Sequence, residues 1–241
     1  MMHKKIGSQD KVFALLSALA AVGAPITARE LAELTGLPLS STYRYLSILT
    51  RWALVQEREV GRYAPGPMAV QLAVGFEQRN SLLTWARPLL EQLAERSGES
   101  AALMMATGDR VLCVEMIDSS QPLRCCYQKG QSQPLLQGAS AKVLLAFMAD
   151  DERDHALADL AQAERAVLFG TLATIREQGY AVSEGEIDPG VWGVSAPVFG
   201  SRDNLLGAIS LMAPAERADS GAAQWLRWTC ETAARLGSML H

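Results

Sequence analysis

The sequence predicts an α+β protein in two parts, and three observations predict it. Residues 1–66 carry helix-spaced apolar patterns followed by a hairpin pattern. Residues 98–241 read as strands, then helices, then strands again. The charge divides at the same place: residues 1–66 hold eight Lys and Arg against five Asp and Glu, a balance of +3, and residues 67–241 carry −7. The chain-wide net charge of −4 averages over that boundary and hides it. A basic head on an acidic body implies separate tasks for the two parts. With 241 residues, 49% of them hydrophobic, the chain can bury two cores, and disorder is not expected.

Composition also excludes several classes. No apolar signal region follows Met1-Met2-His3-Lys4-Lys5, and no run approaches the roughly 18 apolar residues of a membrane span, so a cytoplasmic protein is expected. Cys125 and Cys126 are adjacent while Cys113 and Cys230 lie far off, so neither a disulfide scaffold nor a Cys-x-x-Cys metal or redox site is expected. No cofactor fingerprint is present.

In the head, Val12, Leu15, Leu16 and Leu19 form the apolar stripe of a helix that Gly23-Ala24-Pro25 ends. Thr27-Ala28-Arg29-Glu30 is a capping box opening a second helix, with Ala28, Leu31, Ala32 and Leu34 on its buried side. Thr35-Gly36 stops it, Leu37 plugs the gap, and Pro38 suits the first turn of a third helix running to about Trp52, with Leu46 and Leu49 inward. Two short helices joined by a glycine turn, the second with a polar front, make a helix-turn-helix. Leu54–Glu57 and Arg62–Ala64 then read as the strands of a wing around Arg58-Glu59-Val60-Gly61. Double-stranded DNA is therefore the expected partner. Ser40, Ser41, Thr42, Tyr43 and Arg44 are the candidate reading residues, with Arg58 and Arg62 beside the backbone; Arg44 suits either a guanine edge or a phosphate. The rival is a three-helix domain used for protein contact, and the density of donors on the leading turn argues against it.

Pro65-Gly66-Pro67 closes the head. Residues 67–97 read as a helical linker of one or two helices, capped anew at Asn80-Ser81 and kinked at Pro88, serving either as a dimer strut or as packing for the body. In the body, Ala101–Met105 and Arg110–Met116 flank the turn Thr107-Gly108-Asp109, and Leu123–Lys129 is a third strand candidate. Ser140–Met148 and Ala163–Gln178 are helical; Tyr180–Val182, Gly193–Phe199 and Leu205–Met212 are strands, and residues 222–240 close the chain as a helix. Ala139-Ser140-Ala141 opens the first of these helices with small side chains, which suits either an anion on its free amides or close packing on a sheet.

Four stretches resemble the isocitrate lyase regulator (IclR) family of bacterial transcription regulators. They are Thr35–Leu46, Gly61–Gly66, Gln133–Leu136 with Ala139–Lys142, and Ile175–Val182 followed by Gly190–Val198, where an acidic pair corresponds loosely to Glu184 and Glu186. The resemblance spans nearly the whole chain. It implies a winged helix-turn-helix (1–66), a helical linker (67–97) and a GAF-like antiparallel-sheet domain (98–241) that binds a small effector and oligomerises. It further implies operator DNA as partner, a homodimer or a dimer of dimers, and a repressor answering to a small organic acid. Family pocket positions fall on Cys125, Gln133, Ala139, Ser140, Ser183, Val191, Gly193, Ser210 and Met212. The chain departs from carboxylate-binding members at Gly193, often Cys, and at Met212, typically polar. With Met104, Met105, Met116 and Trp192 near in sequence, that departure points to a larger, partly apolar or aromatic acid. The stretch between Met148 and Gly170 lacks the family's threonine-rich loop, which implies a more open pocket.

The rival classes fare worse. Gly193-Val194-Ser195-Ala196-Pro197 lacks the second glycine of a nucleophile elbow, and of His3, His155 and His241 two sit at chain ends, so no enzyme is expected. A redox sensor would use Cys125-Cys126, but adjacent strand residues face opposite ways and bridge only with strain. A constitutive DNA-binding protein whose body only dimerises is the remaining alternative.

Overall fold

The computed structural model describes residues 8–125 and 127–240. They divide into two compact units, one ending at Asn80 and one beginning at Ser81.

The first unit contains α1 (Ser8–Val22), β1 (Ile26–Thr27), α2 (Ala28–Thr35), α3 (Leu39–Arg51), β2 (Val55–Glu59), β3 (Arg62–Pro65) and α4 (Met68–Arg79). The expected capping box forms: the Glu30 amide donates to Thr27 Oγ1 at 3.3 Å, and the Thr27 amide donates to Glu30 Oε2 at 2.8 Å. Gly36 ends α2 in the left-handed conformation, φ +65°, which a glycine adopts without strain. Leu15, Leu19, Leu31, Leu46, Leu49 and Val55 close the core. The strands form an antiparallel sheet in the order β1-β3-β2, so the wing is tied to the entrance of α2 by a short strand that periodicity could not reveal.

The second unit contains α5 (Ser81–Ser97), β4 (Ser100–Thr107), β5 (Arg110–Ile117), β6 (Ser132–Pro134), α6 (Ala139–Phe147), α7 (Asp150–Ala156), α8 (Gln162–Gln178), β7 (Ala181–Glu184), β8 (Val191–Phe199), β9 (Leu205–Pro214) and α9 (Ala215–Ser238). Its six strands make one antiparallel sheet, in the order β6-β5-β4-β9-β8-β7. Strand alternation divides the side chains between the two faces. Trp192, Val194, Ala196 and Val198 of β8, with Ile209, Leu211 and Ala213 of β9, pack with α5 and α9. Ala102, Met104 and Ala208 face α6 and α8. α5 buries Leu82, Leu83, Ala86, Leu89, Leu90, Leu93 and Ala94 in the first of these cores, with Pro88 inside an unbroken helical span.

One strand lies elsewhere than expected. The edge strand is Ser132–Pro134, not Leu123–Lys129. The chain turns at Gln128–Gln131: the Gln131 amide donates to the Gln128 carbonyl at 3.0 Å, and Gly130 takes φ +87°. Only beyond that turn does the backbone run alongside β5. Cys126 of the expected strand lies outside the described residues.

Candidate DNA-reading surface and effector cavity

In the first unit the exposed stripe of α3 is the chemically distinctive surface. Ser40, Tyr43 and Arg44 are exposed and Ser41 is half-buried. Arg44 lies over its neighbour, with the guanidinium carbon 5.1 Å from the Tyr45 ring centroid and Nη2 donating to Tyr45 Oη at 3.3 Å. Thr42 corrects the sequence expectation. It is fully buried, its hydroxyl turned back to the Pro38 carbonyl at 3.3 Å, because it shares the inward face of α3 with Tyr45, Leu46 and Leu49. It packs inside the unit and presents no surface to a partner. Ser47, exposed three residues beyond Arg44, belongs to the stripe instead; the helical spacing 40, 43, 44, 47 was the signal for it.

Arg58 and Arg62 both stand exposed on the wing. Arg62 Nη1 donates to the Pro25 carbonyl at 3.0 Å, so this side chain also fastens β3 to the turn after α1. Glu57 and Glu59 share the hairpin with the two arginines; Glu57 Oε1 accepts from the Gly61 amide at 2.6 Å and closes its turn. Wing charge is therefore balanced, and the positive balance of the head comes from elsewhere in it.

In the second unit, all nine expected pocket residues line one cavity: Cys125, Gln133, Ala139, Ser140, Ser183, Val191, Gly193, Ser210 and Met212. Five elements place them there. Gln133 comes from the edge strand β6, and Ala139 and Ser140 from the N-terminus of α6. Odd-numbered residues of β8 and even-numbered ones of β9 face the same side of the sheet. Trp192 is thereby turned to the opposite face, its ring centroid 5.8 Å from that of Trp225, as alternation with 191 and 193 predicts. Of the methionines near in sequence, Met104 joins Met212 in the wall.

Polar groups inside the cavity are paired with one another. Ser195 Oγ and Ser210 Oγ are 2.6 Å apart. Gln133 Nε2 donates to Ser140 Oγ at 3.4 Å and to the Gln137 carbonyl at 3.3 Å. Ser183 Oγ accepts from the Ala139 amide at 3.0 Å, the first amide of α6. Tyr127, also in the wall, has its phenol pushed up by burial and by the nearby Cys113, so it stays protonated as a donor. The space open to water centres is about 60 Å³. That is room for roughly four to six waters. Gly193 leaves space, since a Cβ there would meet no atom closer than 3.7 Å, and Met212 Cγ lies 3.9 Å from that point. The segment between β7 and β8 also joins this wall, through Glu186, which the family resemblance had marked only as one of an acidic pair, and through Ile187 and Asp188, which the sequence did not single out.

Among the described residues no group of His, Cys, Asp and Glu is arranged to hold a metal ion, and no helix is long and apolar enough to cross a membrane. Cys113 is buried, and burial with the nearby Glu115 carboxylate pushes its thiol up to about 12, which leaves it protonated and poorly nucleophilic.

Comparison with known proteins bears on both units. Residues 8–59 match the IclR helix-turn-helix domain model, and residues 76–238 match the model described as bacterial transcriptional regulator IclR C-terminal. The chain is 25% identical to the transcriptional repressor IclR of Escherichia coli (strain K12) over 88% of this chain and 82% of that protein. It is 41% identical to the crystallised C-terminal domain of a putative transcriptional regulator from Vibrio cholerae, covering 67% of this chain and 99% of that one, with a TM-score of 0.62. A putative IclR transcriptional regulator from Silicibacter sp. TM1040 shares the fold over 97% of this chain and 94% of its own, at 24% identity and a TM-score of 0.81.

Proposed function

Because the chain belongs to the IclR family of bacterial transcriptional regulators, we propose that it is a repressor whose grip on operator DNA is set by a small organic acid held in the cavity of its second unit. The family's members are regulators and not enzymes, and they bind operator DNA through the helix-turn-helix. The observation that carries the ligand half of the reading is the convergence of nine residues, spread from Cys125 to Met212, on one cavity closed at one side by the N-terminus of α6. Helix N-termini favour carboxylates, and part of the remaining wall is apolar, from Met104, Ile187, Val191 and Met212. An acid with an apolar or single-ring body suits that wall; Met212 Cγ borders the space that Gly193 opens, which favours a compact acid.

On the DNA side, Arg44 with Ser40, Ser41, Tyr43 and Ser47 would face base edges and phosphates, and Arg58 would neutralise a phosphate. α4 supports self-association. Val70, Leu72, Val74 and Phe76 are all exposed on it, and an apolar helix left uncovered on both sides is a surface for a second copy. A thermal-shift screen of small aliphatic and aromatic acids, followed by operator binding with each acid that raises the melting temperature, tests the reading. An acid that stabilises the protein and releases operator supports it; acids that stabilise without changing operator affinity would return the body to a dimerisation role only.

A further inference from the structure

The segment Gly185–Gly190 that joins β7 to β8 forms part of the cavity wall through Glu186, Ile187 and Asp188. It begins and ends on glycines in the left-handed region, φ +63° at Gly185 and +78° at Gly190, conformations that most other residues would resist. Between them two contacts fasten it to the start of α6. Glu186 Oε2 accepts from the Gly138 amide at 3.0 Å, and Glu186 Oε1 pairs with the Lys142 ammonium. Ile187 packs against Gly138: a Cβ at Gly138 would come within 2.5 Å of Ile187 Cδ1 and push that side chain aside. Ile187 is nonetheless 43% exposed, so it lies in the wall with one side toward solvent.

The charges around the cavity make this contact consequential. Among the described residues no Lys, Arg or His lines it, and its charged lining residues are the acids Glu186 and Asp188. An entering anion can therefore draw on the amides opening α6, of which Glu186 already holds that of Gly138 and Ser183 Oγ that of Ala139. Lys142, on the first turn of α6, is engaged by the same carboxylate. The cavity, about 60 Å³ and open to solvent on one side, is bounded in part by this segment.

We propose that Gly185–Gly190 is a lid over the cavity and that Glu186 is its latch, which an incoming carboxylate displaces from the Gly138 amide. This inference rests on the cavity being the effector site. It makes acid affinity the outcome of an exchange, one carboxylate for another, and not of fit alone. It also gives the ligand a mechanical consequence, because displacing Glu186 frees the segment that leads directly into β8.

The test compares full-length wild type with Glu186→Gln, which keeps the length and an acceptor but loses the charge. Lys142→Gln, which removes the latch's cation from the other side, serves as the second variant. Without ligand, amides of 185–190 should exchange hydrogen about tenfold faster in both variants than in wild type. Benzoate, read by calorimetry, should bind Glu186→Gln about tenfold tighter than wild type. Unchanged exchange in both variants, benzoate binding no tighter than in wild type, or benzoate binding by neither chain overturns the latch. Gly193→Leu separates this from failure of the site itself. If it abolishes benzoate binding while Glu186→Gln changes nothing, the cavity stands and the latch falls. Benzoate binding that survives Gly193→Leu overturns the cavity reading and the latch with it.

Discussion

At the scale of single residues, the clearest contrast is between Thr42 and Arg44. Both belong to the polar front of α3, yet one is fully buried and the other exposed, because two positions span about 200° of helix. Composition made the whole run look like a reading surface, and only the phase of the helix separates its members. Arg44→Ala should weaken operator binding by about 5- to 150-fold, the value of one good base contact, while circular dichroism stays unchanged. Arg58→Ala should weaken all sequences alike and reduce the salt dependence by about one phosphate contact; anisotropy titrations at several salt concentrations distinguish the two. Glu186 offers a second test. Burial alone would raise its carboxyl, but the hydrogen bonds from Lys142 and Gly138 together outweigh burial and hold it below its ordinary value. A carboxylate depressed in the folded state contributes stability that is complete above its unfolded pKa and lost as pH falls through the folded one. Wild type should therefore lose more stability than Glu186→Gln from roughly pH 5 downward; parallel pH profiles would contradict this.

At the scale of elements, periodicity located the helices and most strands because their burial is one-sided. β8 and β9 were legible from their apolar runs, and alternation within β8 placed Trp192 away from the cavity and Gly193 in it. Three things were not legible. β1 has two residues, too few for any period. The edge strand β6 is positioned by a turn at Gly130 and not by its own composition. The lid carries no apolar pattern, and its role comes from a contact 48 residues away in sequence, between Glu186 and Gly138. The β8–β9 connection shows the converse, a turn whose residues oppose its geometry. In the connection over residues 200–204, Arg202 and Asp203 both take left-handed angles, φ +60° and +57°, which Asn and Gly adopt at less cost. The double change Arg202→Asn with Asp203→Gly should stabilise the protein by about 1 kcal/mol. A denaturant midpoint that stays put or falls would count against that account of the turn.

At the scale of the whole molecule, the division of charge was the most informative number in the sequence, and it became so only when taken in two parts. A +3 head carries the helix-turn-helix, and the −7 remainder contains the sheet domain, whose cavity no cation lines among the described residues. An acid ligand in this cavity, as proposed, would draw on backbone amides, which puts the start of α6 at the centre of that proposal. Self-association is the other molecular property at issue. Leu72→Glu on α4 should shift the protein toward monomer in sedimentation velocity and weaken operator binding about as much as loss of one half-site contact would; a dimer insensitive to it would place the interface elsewhere. The most direct test of the coupling between cavity and operator uses Gly193→Leu, which fills the cavity from a strand position with room for a side chain. Operator affinity is measured for wild type and variant, with and without an acid that stabilises the wild type. The two should bind operator equally in the absence of acid, and acid should change the affinity at least about tenfold in wild type and not at all in the variant. An equal response in both would show that the cavity is not where the signal enters.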